Sequence, residues 1–247
     1  MGFPLMERVV YDRMAELDEL HWWYRARREV LDALIRRTVK PPKNARILEV
    51  GCGTGHNIRM LERFGSVDGI EIDPEARGFA EKRLGRAVSS AALPELPGVE
   101  RARYDLVAAL DVVEHIDDDH AAVAALASCL KRGGKLLVTV PAHQWMWSAH
   151  DELNHHKRRY SKRGLRTLIE SAPLRLEALG YFNSFLFPLA VGARLAAKAT
   201  GRGGGDDALP PKPVNYLFER AFAAERRLIG KVPLPPGLSL FAVAAAT

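Results

Sequence analysis

Short apolar runs alternate with helical patterns through the middle of the 247-residue chain. The runs 45–50, 104–110 and 135–140 are rich in aliphatic residues, and a glycine, an aspartate or a proline follows each of them. Continuous apolar runs of this length are typical of strands that are buried on both faces of a parallel sheet. Between them, apolar residues recur at helical spacing, and Asp73-Pro74 supplies a helix cap followed by proline at the first helical position.

The predicted elements form an alternating series. Strands are expected at 45–50, 67–72, 86–90, 104–110, 135–140, 174–181 and 238–246. Helices are expected at 55–65, 74–84, 117–131, 161–171, 182–199 and 214–230. Such an alternation predicts an α/β, Rossmann-like, doubly wound and mostly parallel seven-stranded sheet with helices on both faces.

Both ends of the chain add to this predicted core. Residues 1–42 carry two helical patterns and are expected to form an N-terminal helical cap that acts as a lid. Residues 43–181 form the predicted core. Residues 182–237 are expected to be a helical insertion, with an apolar helix, a flexible loop and an amphipathic helix, before the final core strand at 238–247.

Composition places the chain among folded globular proteins, with 47% hydrophobic and 27% charged residues. No run approaches the roughly 18 apolar residues of a membrane-spanning helix. The first 20 residues lack the basic-then-apolar pattern of a secretory leader, so a cytoplasmic protein is expected. Cys52 and Cys129 match neither a disulfide framework nor a zinc spacing. The net charge of +6, concentrated at 157–166, permits an anionic partner.

A glycine-rich turn follows the first predicted strand, with the sequence EVGCGTG at 49–55. A sharp turn that a ligand approaches closely favours glycine because a Cβ would clash. Dinucleotide sites space their glycines as G-x-G-x-x-G, whereas this turn has G-x-G-x-G and places His56 at the last of those positions. The spacing argues against NAD, and the acid Glu49 suits a cofactor with a cationic amino group.

Glu71 ends the next predicted strand. A carboxylate at this point can accept hydrogen bonds from both hydroxyls of a ribose, as it does in other nucleotide-binding α/β folds. Glu49 or Glu71 alone would also suit a capping or solvent-facing role. Together, in this order and at strand ends, they indicate a cofactor that contains a nucleoside.

Residues 45–140 resemble the core of the class I S-adenosylmethionine-dependent methyltransferases. ILEVGCGTG resembles the first motif of that family, GIEIDPEA the second, YDLVAALDVVEHI the fourth-strand motif, and LKRGGKLLVTVP the fifth strand with its preceding loop. The segments HWWYRARR (21–28) and SAHDELNHHKRRYS (148–161) resemble those that a narrower bacterial group places around the cofactor and acceptor cleft. The resemblance implies S-adenosyl-L-methionine as the cofactor.

The resemblance also implies roles for single residues. The three glycines would lie against the methionine part of the cofactor, Glu71 would hold the ribose, and Ile72 would pack on the adenine. Many relatives carry an acid for the adenine amine where this chain has Ser89, so Ser89 and Ser90 are expected to contribute hydroxyl or backbone contacts there. The expected cofactor-binding residues are Glu49, Gly51, Cys52, Gly53, Gly55, Glu71, Ile72, Ser89, Ser90, Leu110 and Asp111.

Three histidines are candidate catalytic residues. Methyl transfer from a sulfonium is an in-line displacement, and a hydroxyl acceptor also needs a base. His115 follows the fourth predicted strand, where such sheets bind ligands, and is the first candidate base. The pair Glu114-His115 resembles that of O-methyltransferases acting on ubiquinone precursors; the alternative for His115 is a structural role. His143 and His156, after the fifth predicted strand, are the other candidates.

Substrate-binding candidates lie in both flanking segments. Trp23 and Arg27 suit a lid, with Arg27 near the cofactor's carboxylate, although aromatic residues also pack in cores. Arg159 and Tyr160 suit an anionic acceptor, with a solvated helix start as the alternative. The polar residues at 150–156 match no standard ligand spacing, so no metal is predicted, and an acceptor-binding or hydrogen-bonding role is expected for them.

The expected acceptor is a small or lipid-linked anionic metabolite. The apolar stretch 181–199 beside the basic segment supports this expectation, while a core, subunit-interface or peripheral membrane role stays open for it. Enzymes that methylate base amines place N/D-P-P-Y/F after the fourth strand, whereas this chain has LDVV at 110–113, which argues against nucleic acid. An RNA-directed enzyme and a non-catalytic cofactor-binding subunit remain alternatives.

Overall fold

The computed structural model describes residues 17–200 and 209–247, and these residues build a mixed sheet of six strands. The strands are β1 (Ala45–Val50), β2 (Gly65–Ile70), β3 (Tyr104–Leu110), β4 (Leu130–Pro141), β5 (Leu174–Phe182) and β6 (Ser239–Ala246). Their order is β2-β1-β3-β4-β6-β5; β1 to β4 are parallel, and β6 is antiparallel to both β4 and β5. The predicted α/β Rossmann-like architecture is confirmed. The strand order reverses between β1 and β3, so the carboxyl ends of these strands form the edge where such sheets bind ligands.

The sheet has six strands rather than the predicted seven. The segment 86–90 contributes only an isolated bridge, in which the Glu71 amide donates to the Ser89 carbonyl at 2.9 Å and the Ser89 amide donates to the Gly69 carbonyl at 3.0 Å. Of this segment only Val88 is buried, and its neighbours are exposed. A single apolar contact does not extend the ladder, because strand pairing is stabilised mainly by side chains that pack along it.

Eight α-helices and several tighter turns connect the described strands. The helices are α1 (Trp22–Leu34), α2 (His56–Leu61), α3 (Pro74–Leu84), α4 (Asp119–Ser128), α5 (Ala149–Leu153), α6 (Lys162–Glu170), α7 (Phe187–Thr200) and α8 (Lys212–Ala223). The tighter turns are a π-helical turn at Ile35–Val39 and 3₁₀ segments at Val113–His115, Gln144–Met146 and Ala224–Arg227. None of the helices in the described ranges is long and apolar enough to cross a membrane.

Helix α3 shows how local sequence sets these bounds. The Asp73 carboxylate accepts hydrogen bonds from the amides of Glu75 and Ala76, each at 2.9 Å, and Pro74 occupies the first helical position. Gly85, with φ +66°, ends the helix in the left-handed region. These signals are local, so the predicted helix 74–84 and the observed helix have the same bounds.

Apolar side chains from the helices cover both faces of the sheet. On one face Val123 and Leu126 of α4 pack with Leu165 of α6, and on the other Leu31 of α1 packs with Phe222 of α8. Each side chain of this size contributes about 1.5–3 kcal/mol on full burial. The carboxyl edge of the sheet is thereby held between two packed layers.

The N-terminal addition and the C-terminal insertion pack against each other. The Trp22 amide donates to Asn215 Oδ1 at 2.9 Å, and the Trp22 ring meets the ring of Phe218 edge-on at 5.5 Å. Helices α1 and α8 therefore form one layer. The first of the two predicted N-terminal helices and most of the predicted flexible loop lie outside the described residues.

Candidate active site

The glycine turn between β1 and α2 is fixed by backbone conformation and by close contact. Gly51, Gly53 and Gly55 have φ angles of +69°, +53° and +86°, in the region that residues with side chains rarely adopt. A Cβ on Gly51 would lie 2.6 Å from a methyl carbon of Val112, which follows β3. The turn therefore requires glycine, and it presses against the loop that carries the candidate catalytic residues.

Glu71 connects the end of β2 to this turn. Its Oε2 accepts the Gly53 amide at 2.8 Å and its Oε1 accepts the Asp73 amide at 2.9 Å, in a buried position. Burial raises the pKa of Glu71, while the amides of Asp73 and Gly53 act against that shift. Because each carboxylate oxygen can accept a second hydrogen bond, Glu71 can hold the turn and also face a ribose.

Glu49 ends β1 in a fully buried position. Neither of its carboxylate oxygens makes a well-formed hydrogen bond within the described residues, although the neighbouring Asn57 side chain acts to lower its pKa. Burial raises the pKa of Glu49 to about 8. A buried carboxylate without a partner costs free energy, and a cationic ligand would remove that cost. The position thus suits the amino group that the sequence predicts for the cofactor.

The remaining residues predicted to bind the cofactor differ in solvent exposure. Ile72, just after β2, is 39% exposed, and Ser89 and Ser90 lie exposed on the segment that bridges to Ile70. Cys52 and Leu110 are buried, and burial raises the pKa of the Cys52 thiol, so it stays protonated. The exposed residues can face a nucleobase, while the buried ones support the turn and the end of β3.

Arg27 of α1 has a partner that the sequence does not reveal. Its Nη2 donates to Asp111 Oδ2 at 2.6 Å and to Thr139 Oγ1 at 3.2 Å, and its guanidinium lies over the Trp23 ring at 5.1 Å from the centroid. Asp111 itself has φ +60° at the end of β3. The ion pair ties the N-terminal helix to the carboxyl edge of the sheet. Thr139 was missed, although a lone polar residue in the apolar run KLLVTV is a usable signal.

Asp18, just before α1, makes a second tie that the sequence does not reveal. Its carboxylate accepts the Thr54 hydroxyl at 2.9 Å, contacts His56 Nδ1 at 2.5 Å and pairs with Arg28 at 3.1 Å. Burial would raise the pKa of Asp18, but His56, Arg28 and Thr54 together outweigh it and lower the pKa. The N-terminal segment is thereby fastened to the glycine turn.

Glu114 and His115 form the 3₁₀ segment after β3. Glu114 is fully buried, and its carboxylate oxygens have no hydrogen-bond partner in the described parts of the chain. Burial, with the charge of Asp111, raises the pKa of Glu114 well above its usual range. Burial and the neighbouring His156 lower the pKa of His115 to about 4, so His115 is neutral at physiological pH.

Asp151 of α5 organises the segment that follows β4. This fully buried carboxylate accepts His156 Nδ1 at 2.9 Å, Arg159 Nε at 2.7 Å and the Ser148 amide at 2.9 Å. Burial alone would raise the pKa of Asp151, but the hydrogen bonds from His156 and Arg159 hold it well below its usual range. Asp151 is therefore an ionised, fully partnered carboxylate inside the protein.

Glu114, His115 and His156, which we call the histidine cluster, meet in space. The two imidazole rings lie edge-to-face with centroids 4.7 Å apart, and one donor atom from each of the three residues lies within 4.8 Å of the others. The Lys157 amide donates to the Glu114 carbonyl at 2.8 Å and joins the two segments. This group could hold a divalent cation by its donor types, and its chemistry equally suits proton transfer.

His143 lies in an aromatic group and not in the histidine cluster. Its ring stacks on Tyr181 at 5.3 Å and on Phe187 at 5.1 Å, and Trp145 lies 5.8 Å away. Burial lowers the pKa of His143. His143 is therefore not part of the histidine cluster. It packs against Phe187, the first residue of α7.

Three residues of the basic segment are ion-paired within the fold. Arg158 pairs with Asp119 at 2.8 Å, Lys157 pairs with Asp117 at 3.1 Å, and Arg159 is held by Asp151 with its side chain only 7% exposed. The buried Tyr160 hydroxyl donates to Asp119 Oδ2 at 2.8 Å. Arg159 and Tyr160 thus have polar partners within the fold, and their contact with an anionic acceptor stays a prediction.

Known proteins share both the sequence pattern and the fold. Residues 22–179 match the family described as "Methyltransferase domain". The ubiquinone biosynthesis O-methyltransferase of Xylella fastidiosa (strain 9a5c) is 34% identical over 115 residues, which cover 44% of this chain and 46% of that protein. The enzyme of the same name from Xanthomonas axonopodis pv. citri (strain 306) is 33% identical over 106 residues, covering 40% and 44%. The chain thus spans less than half the length of these curated relatives.

Solved structures resemble this fold at low sequence identity. A chain of the complex between the Haloferax volcanii Trm112 methyltransferase activator and a methyltransferase has a TM-score of 0.61 at 17% identity, covering 99% of this chain and 97% of that one. Phosphoethanolamine N-methyltransferase 2 of Haemonchus contortus, solved with S-adenosyl-L-methionine, has a TM-score of 0.57 at 17% identity, covering 87% and 51%. The chain belongs to the methyltransferase-domain family, and the prediction of a class I S-adenosylmethionine-dependent methyltransferase is confirmed.

Proposed function

We propose that this protein transfers the methyl group of S-adenosylmethionine to an oxygen atom of a small metabolite. The main observation in support is that two groups of residues lie at the same edge of the sheet. The glycine turn held by Glu71 and the histidine cluster both lie at the carboxyl ends of β1 to β4, where an open α/β sheet binds its ligands. The name of the curated relatives, ubiquinone biosynthesis O-methyltransferase, supports oxygen as the atom methylated.

The cofactor would lie across the ends of β1 and β2. Glu71 has acceptor capacity left for the two ribose hydroxyls, and the unpartnered Glu49 carboxylate would receive the ammonium group of the methionine part. Arg27 would position Asp111 through Nη2, while its buried Nε, which has no hydrogen-bond partner in the described residues, keeps a donor for the cofactor's carboxylate. A cofactor placed this way would direct its methyl group toward the loop after β3.

The chemistry is a balanced displacement. A base takes the proton of the acceptor hydroxyl while the oxygen forms a bond to the methyl carbon. The carbon–sulfur bond breaks, and its electron pair stays on sulfur as S-adenosylhomocysteine. Alignment supplies most of the rate, and general-base catalysis adds about 10²–10⁴-fold.

An apolar part of the acceptor would fit the exposed apolar surface around the start of α7. His143 stacks on Phe187, the first residue of this helix; Leu189 and Leu195 of α7 are more than half exposed, and Phe185, just before it, is 44% exposed. Exposed apolar residues of this kind favour a small or lipid-linked metabolite with an apolar portion, acting in the cytoplasm or at a membrane surface. A negative charge on the acceptor stays a prediction, since Lys157, Arg158 and Arg159 are ion-paired whereas Lys162 and Arg163 are exposed.

Two measurements test the proposal. Calorimetry should show binding of S-adenosylmethionine and S-adenosylhomocysteine but not of NAD. Incubation of the protein with methyl-labelled S-adenosylmethionine and the small-molecule fraction of a cell extract should label a metabolite at oxygen, located by mass spectrometry. Label that enters only RNA, protein, or nitrogen and carbon atoms would contradict the proposed acceptor atom, and binding of NAD alone would contradict the cofactor.

A further inference from the structure

The three candidate bases differ in the contacts that hold each imidazole ring. His115 is half-buried with no directly bonded carboxylate in the described ranges, and its low pKa makes it a weak base. His143 stacks between aromatic rings and likewise pairs with no carboxylate that the structure describes. His156 differs, because its Nδ1 lies 2.9 Å from an oxygen of the buried Asp151.

The partners of Asp151 fix the proton on His156. An ionised carboxylate only accepts hydrogen bonds, so neutral His156 must donate through Nδ1 and carry its lone pair on Nε2. Arg159 and the Ser148 amide bind the same carboxylate and keep it ionised and oriented. When Nε2 takes a proton, the imidazolium that forms is stabilised by a negative charge in direct contact. This is the relation between base and carboxylate in hydrolase triads.

We propose that His156 is the general base of the methyl transfer and that Asp151 and Arg159 are its positioning residues. The inference rests on the proposed function, methyl transfer to an oxygen atom. His156 Nε2 removes the acceptor proton as the oxygen–methyl bond forms, and the resulting imidazolium returns that proton to solvent after the products leave. The same arrangement accounts for the buried arginine: Arg159 serves the carboxylate and not the acceptor.

The surroundings of His156 contain both signs of charge. The titratable and charged side chains that face it are Glu114, His115, His150, Asp151 and Arg159. Asp151 is the one directly bonded to the His156 ring in the described structure, and its charge is shared with Arg159. Burial and the charge of Asp111 raise the pKa of Glu114, which favours its protonated form, so Glu114 does not compete with His156 for the acceptor proton.

The first test reads the tautomer directly and needs no acceptor. Wild-type protein labelled with ¹⁵N-histidine should show His156 with a protonated Nδ1 and an unprotonated Nε2, the resonances being assigned by their loss in His156→Gln. Asp151→Asn should shift that equilibrium toward the other tautomer. A wild-type His156 protonated on Nε2 would overturn the proposal, even if the Asp151 variants fail to fold.

The second test measures methyl transfer into the labelled small-molecule fraction. His156→Gln should lower the rate by about 100-fold or more while calorimetry shows unchanged S-adenosylmethionine affinity. Asp151→Asn should lower it by about tenfold or more. His120→Gln is the matched control, because His120 is exposed and bonds only Ser171 among the described contacts; its rate should match wild type.

Other results would overturn either this proposal or the proposed function. A His156→Gln rate within threefold of wild type, with a large loss in His115→Gln, would assign the base to His115 and overturn the proposal. Loss of wild-type activity on dialysis against EDTA, with recovery on adding Zn²⁺ or Mg²⁺, would make His156 a metal ligand and also overturn it. If wild type binds no S-adenosylmethionine or labels nothing, the proposed function fails, and the tautomer still decides whether Asp151 orients His156.

Discussion

The two sides of the candidate cleft are built from different kinds of contact. The cofactor side, which comprises Glu49, the turn Gly51–Gly55 and Glu71, is held by backbone conformation and by backbone amides that donate to a carboxylate. The acceptor side, which comprises 111–115 and 148–160, is held by charged side chains: Asp151 binds His156 and Arg159. The first side depends on shape and the second on charge, so different substitutions should damage each.

The largest expected effect is on the acceptor side. Asp151→Ala removes the partner of a buried guanidinium and should lower the free energy of unfolding by about 3–5 kcal/mol. Urea denaturation measures it. The control is Glu170→Ala, which breaks the exposed pair with Arg166 and should change stability by less than about 0.5 kcal/mol. Equally small losses of stability in Asp151→Ala and Glu170→Ala would show that the buried ion pair does not stabilise the acceptor side.

On the cofactor side, Gly51→Ala should combine backbone strain with a clash and lower the free energy of unfolding by about 2–4 kcal/mol. Gly98→Ala is the matched control: its φ of +75° is similar, but no atom lies within 4 Å of the added Cβ. It should lose only the strain, about 1–2 kcal/mol. The double variant Gly51→Ala/Val112→Ala should recover part of the difference, and no recovery would argue that Val112 does not shape the turn.

A smaller effect is expected from Glu71→Gln. The ribose hydroxyls would lose a charged acceptor, so S-adenosylmethionine affinity should fall by about 1.5–3 kcal/mol, or roughly 10–150-fold. Calorimetry measures the affinity, with the exposed Glu95→Gln as control. Unchanged affinity in Glu71→Gln would remove this residue from the cofactor site and leave it a purely structural clamp.

The smallest effect concerns pH. With a folded pKa of about 8, Glu49 is protonated at neutral pH in the free protein, and it must ionise to pair with the cofactor's ammonium group. Binding should therefore release about one proton, and affinity should rise by up to about tenfold between pH 6.5 and 7.5. Calorimetry in buffers of different ionisation enthalpy counts the proton. Glu49→Gln should abolish both the release and the pH dependence; a wild type without proton release would contradict the pairing.

The distance in sequence between interacting residues explains how much of the site could be predicted. Helix 74–84 and the glycine turn were predicted because their determinants, Asp73-Pro74, Gly85 and the spaced glycines, are local. Asp18 and Thr54, by contrast, are 36 positions apart, and their bond depends on the completed fold. The same holds for His156 near Glu114, which no local pattern predicts.

The basic segment shows a second limit of local patterns. A run of arginines and lysines at 157–166 predicts an anion site when read alone, because the sequence does not show that Asp117, Asp119 and Asp151 pair with Lys157, Arg158 and Arg159. The prediction of a seventh strand was wrong for a related reason. The segment 86–90 has one buried residue, so it had too little packing to form a strand at the sheet edge.

The position of β6 has a consequence for synthesis on the ribosome. β6 follows every other described element along the chain, yet it lies between β4 and β5 in the sheet. β5 pairs with β6 and with no other described strand, so it has no sheet partner until the residues of β6 have left the exit tunnel. Until then β4 presents an open, apolar edge. The sheet is therefore completed only once β6 has emerged, and the nascent chain is most exposed to aggregation and chaperone binding in the interval between the emergence of β4 and that of β6.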